Sequence, residues 1–461
     1  MNTHLVLTHT LNNLTIPAGS SPRLLYLLIE TGGEQAGAIN LPVHLGLVVD
    51  KSDSMMVRMP PPTDVLDQWV ERGWVRENVI DGIPTLQVDL RKVSTQELQK
   101  LPRTIDTVKQ ALQAVVEVLR PNDRFALILF AGQAVTLVPL SPASERQRIL
   151  STFDSIEQMA LGDDTYMGRG MALGLDELVR GIGPNAASRM IVLTDGYTLD
   201  EADCRALAQR ARSVGISIST MGLGGFNEEL LIPVADDTGG HAHNIGSPEE
   251  IAAAFQQELN AAQSIAFRNL ELKLRVSQGV ELRAAHRVRP AISHLGAIPL
   301  ADRSASLSLG DYETNAPPAL LLELVAPPRS APGAYRLVQL MLAYDDPSED
   351  MARQTLRQDV VVNYFAAPFI EPPHPRVMNV VERVTAFKLQ TRALEDARRG
   401  DIASATRKLQ AAATRLLDMG ETDLAQIVQE QAGQLEQQGR VSPETAKAAR
   451  YQTRRLTQKS D

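Results

Sequence analysis

The sequence predicts an α/β domain with a largely parallel central sheet, inserted into a β-sandwich and followed by a helical C-terminal domain. Three changes of hydrophobic period carry this prediction. From 41 to 264 short apolar runs alternate with stripes at helical spacing, from 269 to 365 the spacing becomes strict alternation, and beyond 377 it is helical throughout.

In chain order, LVLTHTL and RLLYLLIE read as two strands separated by the turn-rich TIPAGSSPR, so residues 1–40 supply N-terminal strands to the sandwich. The α/β domain at 41–264 has expected strands at 43–50, 124–131, 134–140, 189–195, 215–223 and 241–246. Helical stripes lie between them. One is Ile105, Val108, Leu112, Val115, Val116 and Leu119; another is Met171, Leu175, Leu178, Val179 and Ile182; the last is Ile251, Phe255 and Leu259. Alternating runs at 269–276, 320–326, 335–344 and 359–365 indicate antiparallel strands with one wet face, which places a sandwich at 265–367. The Pro-rich 368–376 reads as a semi-rigid linker, and 377–461 as helices packed in hairpins.

One connection is out of proportion. Residues 51–103, 53 in all, separate the strand ending at Asp50 from the helix beginning near Thr104, where a strand-to-helix loop usually takes about 2–6. This insertion, about 58–103, holds both tryptophans, Trp69 and Trp74, and a strand-like TLQVDL, so it is expected to fold.

Composition excludes more than it assigns. With 46 Lys+Arg against 55 Asp+Glu the net charge is -9, and aromatic residues make up 4%, so there is no general nucleic-acid footprint. The longest apolar runs, LLYLLI and FALILFA, fall far short of the roughly 18 residues of a membrane span. A lone Cys204 rules out an intrachain disulfide and suits a reducing compartment. The N-terminal stretch lacks the basic and apolar regions of a signal peptide, so the expected location is cytoplasmic, with export left open.

The chemistry gathers on three loops. Asp50-Lys51-Ser52-Asp53-Ser54 leaves the first α/β strand, Thr165 precedes a helix, and Asp195-Gly196 ends another strand. In an open parallel sheet these carboxyl ends border the crevice where strand order reverses. Carboxylate and hydroxyl oxygens, without His or Cys, suit Mg²⁺, Mn²⁺ or Ca²⁺ rather than zinc. An electrophilic metal there would seek an anionic oxygen, which a partner's Asp or Glu can supply.

Asp50-x-Ser52-x-Ser54, Thr165 and Asp195-Gly196 resemble the metal-ion-dependent adhesion site of von Willebrand factor type A domains, with all five positions filled in order. The resemblance extends through 41–264, and it implies a doubly wound, Rossmann-like fold. It further implies a non-catalytic protein-binding module in which Ser52, Ser54 and Thr165 touch a divalent cation, Mg²⁺ first, while Asp50 and Asp195 support it. A carboxylate of a protein partner would fill the last coordination position. Bacterial proteins of this type, and more distantly integrin β-chains, share the flanking sandwich.

Two departures stand out. Asp53 occupies a position that is usually Gly between the serines, and is read as solvent-facing and a candidate for the partner-binding surface; turned inward, its charge would tighten metal binding and weaken attraction for an acidic ligand. The insertion starts at the metal loop, so Trp69 and Trp74 either join a partner-binding surface or close the insertion's own core. Two other functions compete with adhesion: a subunit of an AAA+ ATPase complex, since type A domains accompany such ATPases although this chain lacks G-x-x-x-x-G-K-[ST], and a metal-assisted phosphoesterase using Asp50 and Asp195. The helical tail would add a contact or self-association surface. His241 and His243, two apart with no further Cys or His nearby in sequence, read as ordinary strand residues, and Arg450, Arg454 and Arg455 as a solvated helix face.

Overall fold

A computed structural model describes residues 4–19, 21–34, 41–58, 63–80, 83–89, 91–183, 186–224, 226–247, 250–296, 298–349, 352–366, 371–439, 441 and 443–459. The chain forms the expected α/β layer, sandwich and helical tail. In the α/β sheet the strands lie in the order Ala242–Ile245, Ser217–Leu223, Ala187–Thr194, Val43–Asp50, Arg124–Phe130, Ala134–Pro142. All neighbours are parallel except the last pair, a hairpin. The order reverses between Val43–Asp50 and Ala187–Thr194, which fixes the crevice at their carboxyl ends.

Helices cover both faces of the sheet, and for this reason the central strands are continuously apolar. Val43–Asp50 is buried at every position. Leu45, Leu47 and Val49 pack with Thr104–Val118 and Glu250–Gln263 on one side, while Val48 meets Met171, Leu175 and Leu178 of Met167–Arg180 on the other. That last helix ends at Arg180, so Ile182 falls beyond it and is exposed, contrary to its place in the expected stripe.

The sandwich consists of two five-stranded sheets. One orders His4–Leu11, Arg23–Glu34, Ala319–Ala326, Glu281–Arg289 and Ser293–His294; the other orders Ser304–Glu313, Ile265–Val276, Gly333–Asp346, Ala352–Phe365 and Thr15–Pro17. The α/β domain is therefore an insertion between sandwich strands. Alternation in Ile265–Val276 sends Leu270, Leu272 and Leu274 inward and leaves Glu271 and Lys273 wet.

Within 58–103, the described residues form a helix Thr63–Glu71, a hairpin of Val75–Ile80 with Ile83–Val88, and a short helix Thr95–Lys100. The insertion returns next to its start, with Thr104 N–H donating to Val57 O at 3.3 Å.

The tail comprises helices Pro375–Arg398, Ile402–Asp418, Thr422–Gln438 and Pro443–Arg454. Its first helix packs Val377, Val380 and Val384 in one cluster with Leu28, Val288 and Leu321 of the sandwich. The basic end is not a solvated face. Arg454 is buried and donates to Asp236 Oδ1 at 2.6 Å, Arg450 pairs with Glu228 at 3.4 Å, and Tyr451 sits edge-on to Phe226 at 6.3 Å. Only Arg455 of the three arginines is exposed. The net-charge argument fails here because fixed carboxylates of the α/β domain face these cations. Among the described residues no helix is long and apolar enough to cross a membrane.

Candidate metal centre

The strand Val43–Asp50 delivers Asp50 to the sheet edge, where Lys51 N–H still bonds Phe130 O at 2.7 Å before the chain turns. The next residues form a 3₁₀ turn, Asp53–Met56, anchored by Met55, which is fully buried in the domain core. That anchor holds Ser52 and Ser54 above the sheet.

Asp50 is 0% exposed and Ser52 3% exposed. Asp50 Oδ1 accepts from Ser52 N–H at 2.8 Å, and Oδ2 from Thr194 Oγ1 at 2.7 Å. Ser52 Oγ lies 3.0 Å from Ser54 Oγ, and Ser54 Oγ donates to Asp195 Oδ1 at 2.7 Å. Four of the five motif residues thus form one hydrogen-bonded cluster. Thr165 stands on the adjoining loop, half-buried, with its carbonyl accepting from Leu199 N–H at 3.0 Å and lying 3.2 Å from Thr198 Oγ1. Its hydroxyl makes no hydrogen bond among the described residues.

Electrostatics set the demand at this cluster. Burial pushes the Asp50 carboxyl up to about 6 despite the hydrogen bonds of Ser52 and Thr194, and Asp195 adds to the rise. Burial also raises Asp195. Neither carboxylate has an ion-pair partner among the described residues. Two partly desolvated carboxylates with hydroxyl oxygens around them and no cation fit a hard divalent ion, which takes oxygen ligands and favours their ionised form.

Other residues shape the site without having been singled out from sequence. Thr194 orients Asp50. Thr198 Oγ1 accepts from Met167 N–H at 2.8 Å and donates to Asp200 Oδ1 at 2.6 Å, and Asp200 Oδ1 also accepts from Gly168 N–H at 3.1 Å. These bonds tie the Asp195 loop to the start of the helix that follows Thr165. A Thr-x-Asp three residues after Asp195 was the available signal: short hydroxyl and carboxylate side chains suit free N–H groups at a helix start.

Asp53 is exposed and makes no hydrogen bond among the described residues, matching its solvent-facing reading. Trp69 is 3% exposed in a small core with Val75, Val93 and Leu101, and Trp74 packs against it with ring centroids 6.2 Å apart. Trp69 thus closes the insertion's own core, while Trp74 packs against that core and stays half-buried. Exposed apolar side chains lie instead on the metal loops themselves: Val57 at 62%, Tyr197 at 65% and Leu199 at 66%.

Residues 99–257 match the family model of the von Willebrand factor type A domain, and residues 375–459 match the Sll0103-like, C-terminal alpha-helical domain. The first match begins in the last residues of the insertion, so Thr165 and Asp195 lie within it and Asp50, Ser52 and Ser54 outside it. In sequence, the chain is similar to the uncharacterized protein YfbK of Escherichia coli (strain K12), 23% identical over 158 residues, covering 33% of this chain and 27% of that protein. It is also similar to the probable E3 ubiquitin-protein ligase WAVH2 of Arabidopsis thaliana, 22% identical over 341 residues, covering 70% of this chain and 43% of that protein. The chain thus spans less than half the length of either relative. Two solved structures share the fold over nearly the whole chain. The von Willebrand factor type A protein from Catenulispora acidiphila superimposes with a TM-score of 0.72 at 15% identity, covering 97% of this chain and 96% of that one. The ArnB paralog VWA2 from Sulfolobus acidocaldarius gives 0.52 at 14%, covering 98% and 99%. With its doubly wound sheet, the family match and these two folds in agreement, this chain carries a von Willebrand factor type A domain, set into a β-sandwich and followed by an Sll0103-like helical domain.

Proposed function

We propose that this protein is a metal-dependent protein-binding module, in which a divalent cation held at Ser52, Ser54 and Thr165, with Asp50 and Asp195 in support, captures an acidic residue of a partner. The observation that carries the reading is the convergence of Asp50, Ser52, Ser54 and Asp195 in one oxygen cluster whose carboxylates, Asp50 buried and Asp195 half-buried, have no cationic partner among the described residues. Mg²⁺ is the favoured ion, since it accepts few protein ligands and retains waters; Mn²⁺ and Ca²⁺ are the alternatives. When bound it would supply a Lewis-acidic centre for the incoming carboxylate.

Exposed Val57, Tyr197 and Leu199 provide an apolar rim around that centre. Tyr197 also borders a cleft of about 610 Å³ whose far wall includes Leu394, Arg398 and Lys447, which makes the helical tail a second contact surface for the same partner. In this reading 41–264 bind, while 1–40 and 265–367 form the supporting sandwich. A bound cation would hold Asp50 and Asp195 ionised, leaving neither to protonate a leaving oxygen, which favours binding over hydrolysis.

The test is affinity capture from the native organism with the full chain, in Mg²⁺ and after chelation, beside Ser54→Ala. Partners that elute on chelation and are absent from the Ser54→Ala sample support the reading. Capture unaltered by both treatments, in a variant whose circular dichroism and melting temperature match wild type, refutes it.

A further inference from the structure

We propose a second metal site, chemically unlike the first: a zinc-class cation held by His241 Nδ1, His243 Nε2 and Glu258 Oε1, with its fourth position open to a cleft. Glu258 Oε1 lies 2.9 Å from His241 Nδ1 and 2.6 Å from His243 Nε2. The three ligand atoms fall within 4.8 Å of one another, and the imidazole planes cross at 81°. Tetrahedral coordination at bond lengths of about 2.0–2.1 Å sets ligand atoms about 3.3 Å apart, so the carboxylate oxygen would move away from His241 by about 0.4 Å and from His243 by about 0.7 Å.

The surroundings resemble a built site rather than a chance meeting of side chains. Glu258 is 1% exposed and its other oxygen is fixed by Arg189 Nη1 at 2.9 Å and Ser219 Oγ at 2.5 Å, leaving Oε1 free to face the histidines. The second nitrogen of His241 lies 3.5 Å from Glu313 Oε2, and Glu313 Oε1 accepts from Arg189 Nη2 at 2.5 Å. A carboxylate behind a ligating imidazole, and a clamped carboxylate ligand, are the outer contacts that orient metal ligands and raise their basicity.

Access and charge agree with this assignment. His241, His243, Glu258 and Glu313 line a cleft of about 370 Å³ that also reaches Arg287 and Arg454. Arg189 is matched by Glu313, so the three ligands bring a single negative charge to a divalent ion. The residual positive charge favours a water-derived hydroxide or an anionic group at the open position. Two imidazole nitrogens and one oxygen select zinc, cobalt or nickel over magnesium, the reverse of the oxygen cluster at Asp50. The two sites also lie at opposite ends of the sheet. His241 precedes the amino end of the edge strand Ala242–Ile245, whereas Asp50 and Asp195 stand at or just past the carboxyl ends of strands that run parallel to it further into the same sheet.

Full-length protein stripped of metal is titrated with Co²⁺ and then Zn²⁺. One equivalent of Co²⁺ should give the intense visible bands of a four-coordinate ion, be displaced by Zn²⁺, and persist in excess Mg²⁺. His243→Ala should weaken binding about 100-fold or more, since loss of merely an outer contact costs about 10–100-fold, while Ser52→Ala should leave it intact. Because Glu258 also holds Arg189, Glu258→Gln is read only beside its circular dichroism, and anomalous scattering at the zinc edge in wild-type crystals locates the ion independently of any variant. Absence of stoichiometric Co²⁺ or Zn²⁺ binding, binding unaffected by His243→Ala, or an anomalous peak elsewhere overturns the proposal.

Discussion

Ser54 Oγ donates a 2.7 Å hydrogen bond to Asp195 Oδ1, joining two loops that are 141 residues apart in sequence. Ser54 is exposed, so its hydroxyl adds little to packing, yet it lies between Ser52 and Asp195. Ser54→Ala, which removes a proposed direct ligand, is expected to weaken Mg²⁺ or Mn²⁺ binding by about 100-fold or more, beyond the about 10- to 100-fold that loss of an outer contact costs, measured by titration calorimetry. Cation at 100 times its Kd should stabilise wild type by about 2.7 kcal/mol and stabilise the variant far less. Equal affinities would remove Ser54 from the cation site.

The helix that follows Thr165 sits close to the sheet because it presents glycines. A Cβ at Gly170 would lie 2.8 Å from Phe130 Cδ1 and 2.9 Å from Val48 Cγ1. Gly170→Ala therefore pushes the helix off the sheet, at a cost of about 1–3 kcal/mol in urea unfolding, and it weakens cation binding as the Thr165 loop shifts. Gly183→Ala, with nothing within 4 Å of its added carbon, is the control and should stay within about 0.5 kcal/mol. A Gly170 variant as stable as that control would refute the packing argument.

Tyr451 fastens the tail to the α/β domain through its ring, while its buried hydroxyl has no hydrogen-bond partner among the described residues. Replacing it separates the two contributions. Tyr451→Phe should be neutral or stabilise by about 1 kcal/mol, because an unpaired buried hydroxyl is removed. Tyr451→Ala should cost about 3–5 kcal/mol, as for other aromatic truncations in cores. Denaturant unfolding distinguishes these outcomes, and a destabilised Phe variant would show that the hydroxyl is satisfied in solution.

His286 is 1% exposed at the junction of sandwich and tail, and burial, aided by His294 and by Lys388 and Arg392 and opposed by Glu323, holds its imidazole down to about 4. An unfolded histidine titrates near 6.5, so between about 6.5 and 4 the unfolded chain binds more protons and stability falls as pH drops. The contribution is complete above 6.5 and lost through 4, with an upper limit of about 3 kcal/mol. His286→Phe should flatten this part of the profile when urea midpoints at pH 7.5 and 4.5 are compared with wild type. Parallel profiles would show that His286 titrates normally in the native state.

Much of this architecture was legible because burial imposes a period on the sequence. The doubly covered strand Val43–Asp50 is apolar throughout, and the sandwich strand Ile265–Val276 alternates. Asp50, Ser52, Ser54 and Asp195 were legible because strand ends deliver short oxygen side chains to one edge. Thr194 was missed as a positioning residue because a buried threonine at a strand end looks like any other β-branched residue until its hydroxyl is seen on Asp50. Trp69 and Trp74 illustrate the opposite problem, since an aromatic pair in an insertion serves a surface or a core equally well until its burial is known.

By itself, then, the sequence determined the three-part fold class and the oxygen-only character of the first cluster, because both follow from local spacing. Only the tertiary structure decided what Glu258, Arg189 and Glu313 do for His241 and His243, and where Arg454 and Tyr451 find their partners. Those contacts join different elements across domain boundaries. Their energy comes from desolvation and facing charges, which packing creates and which no count along the chain contains.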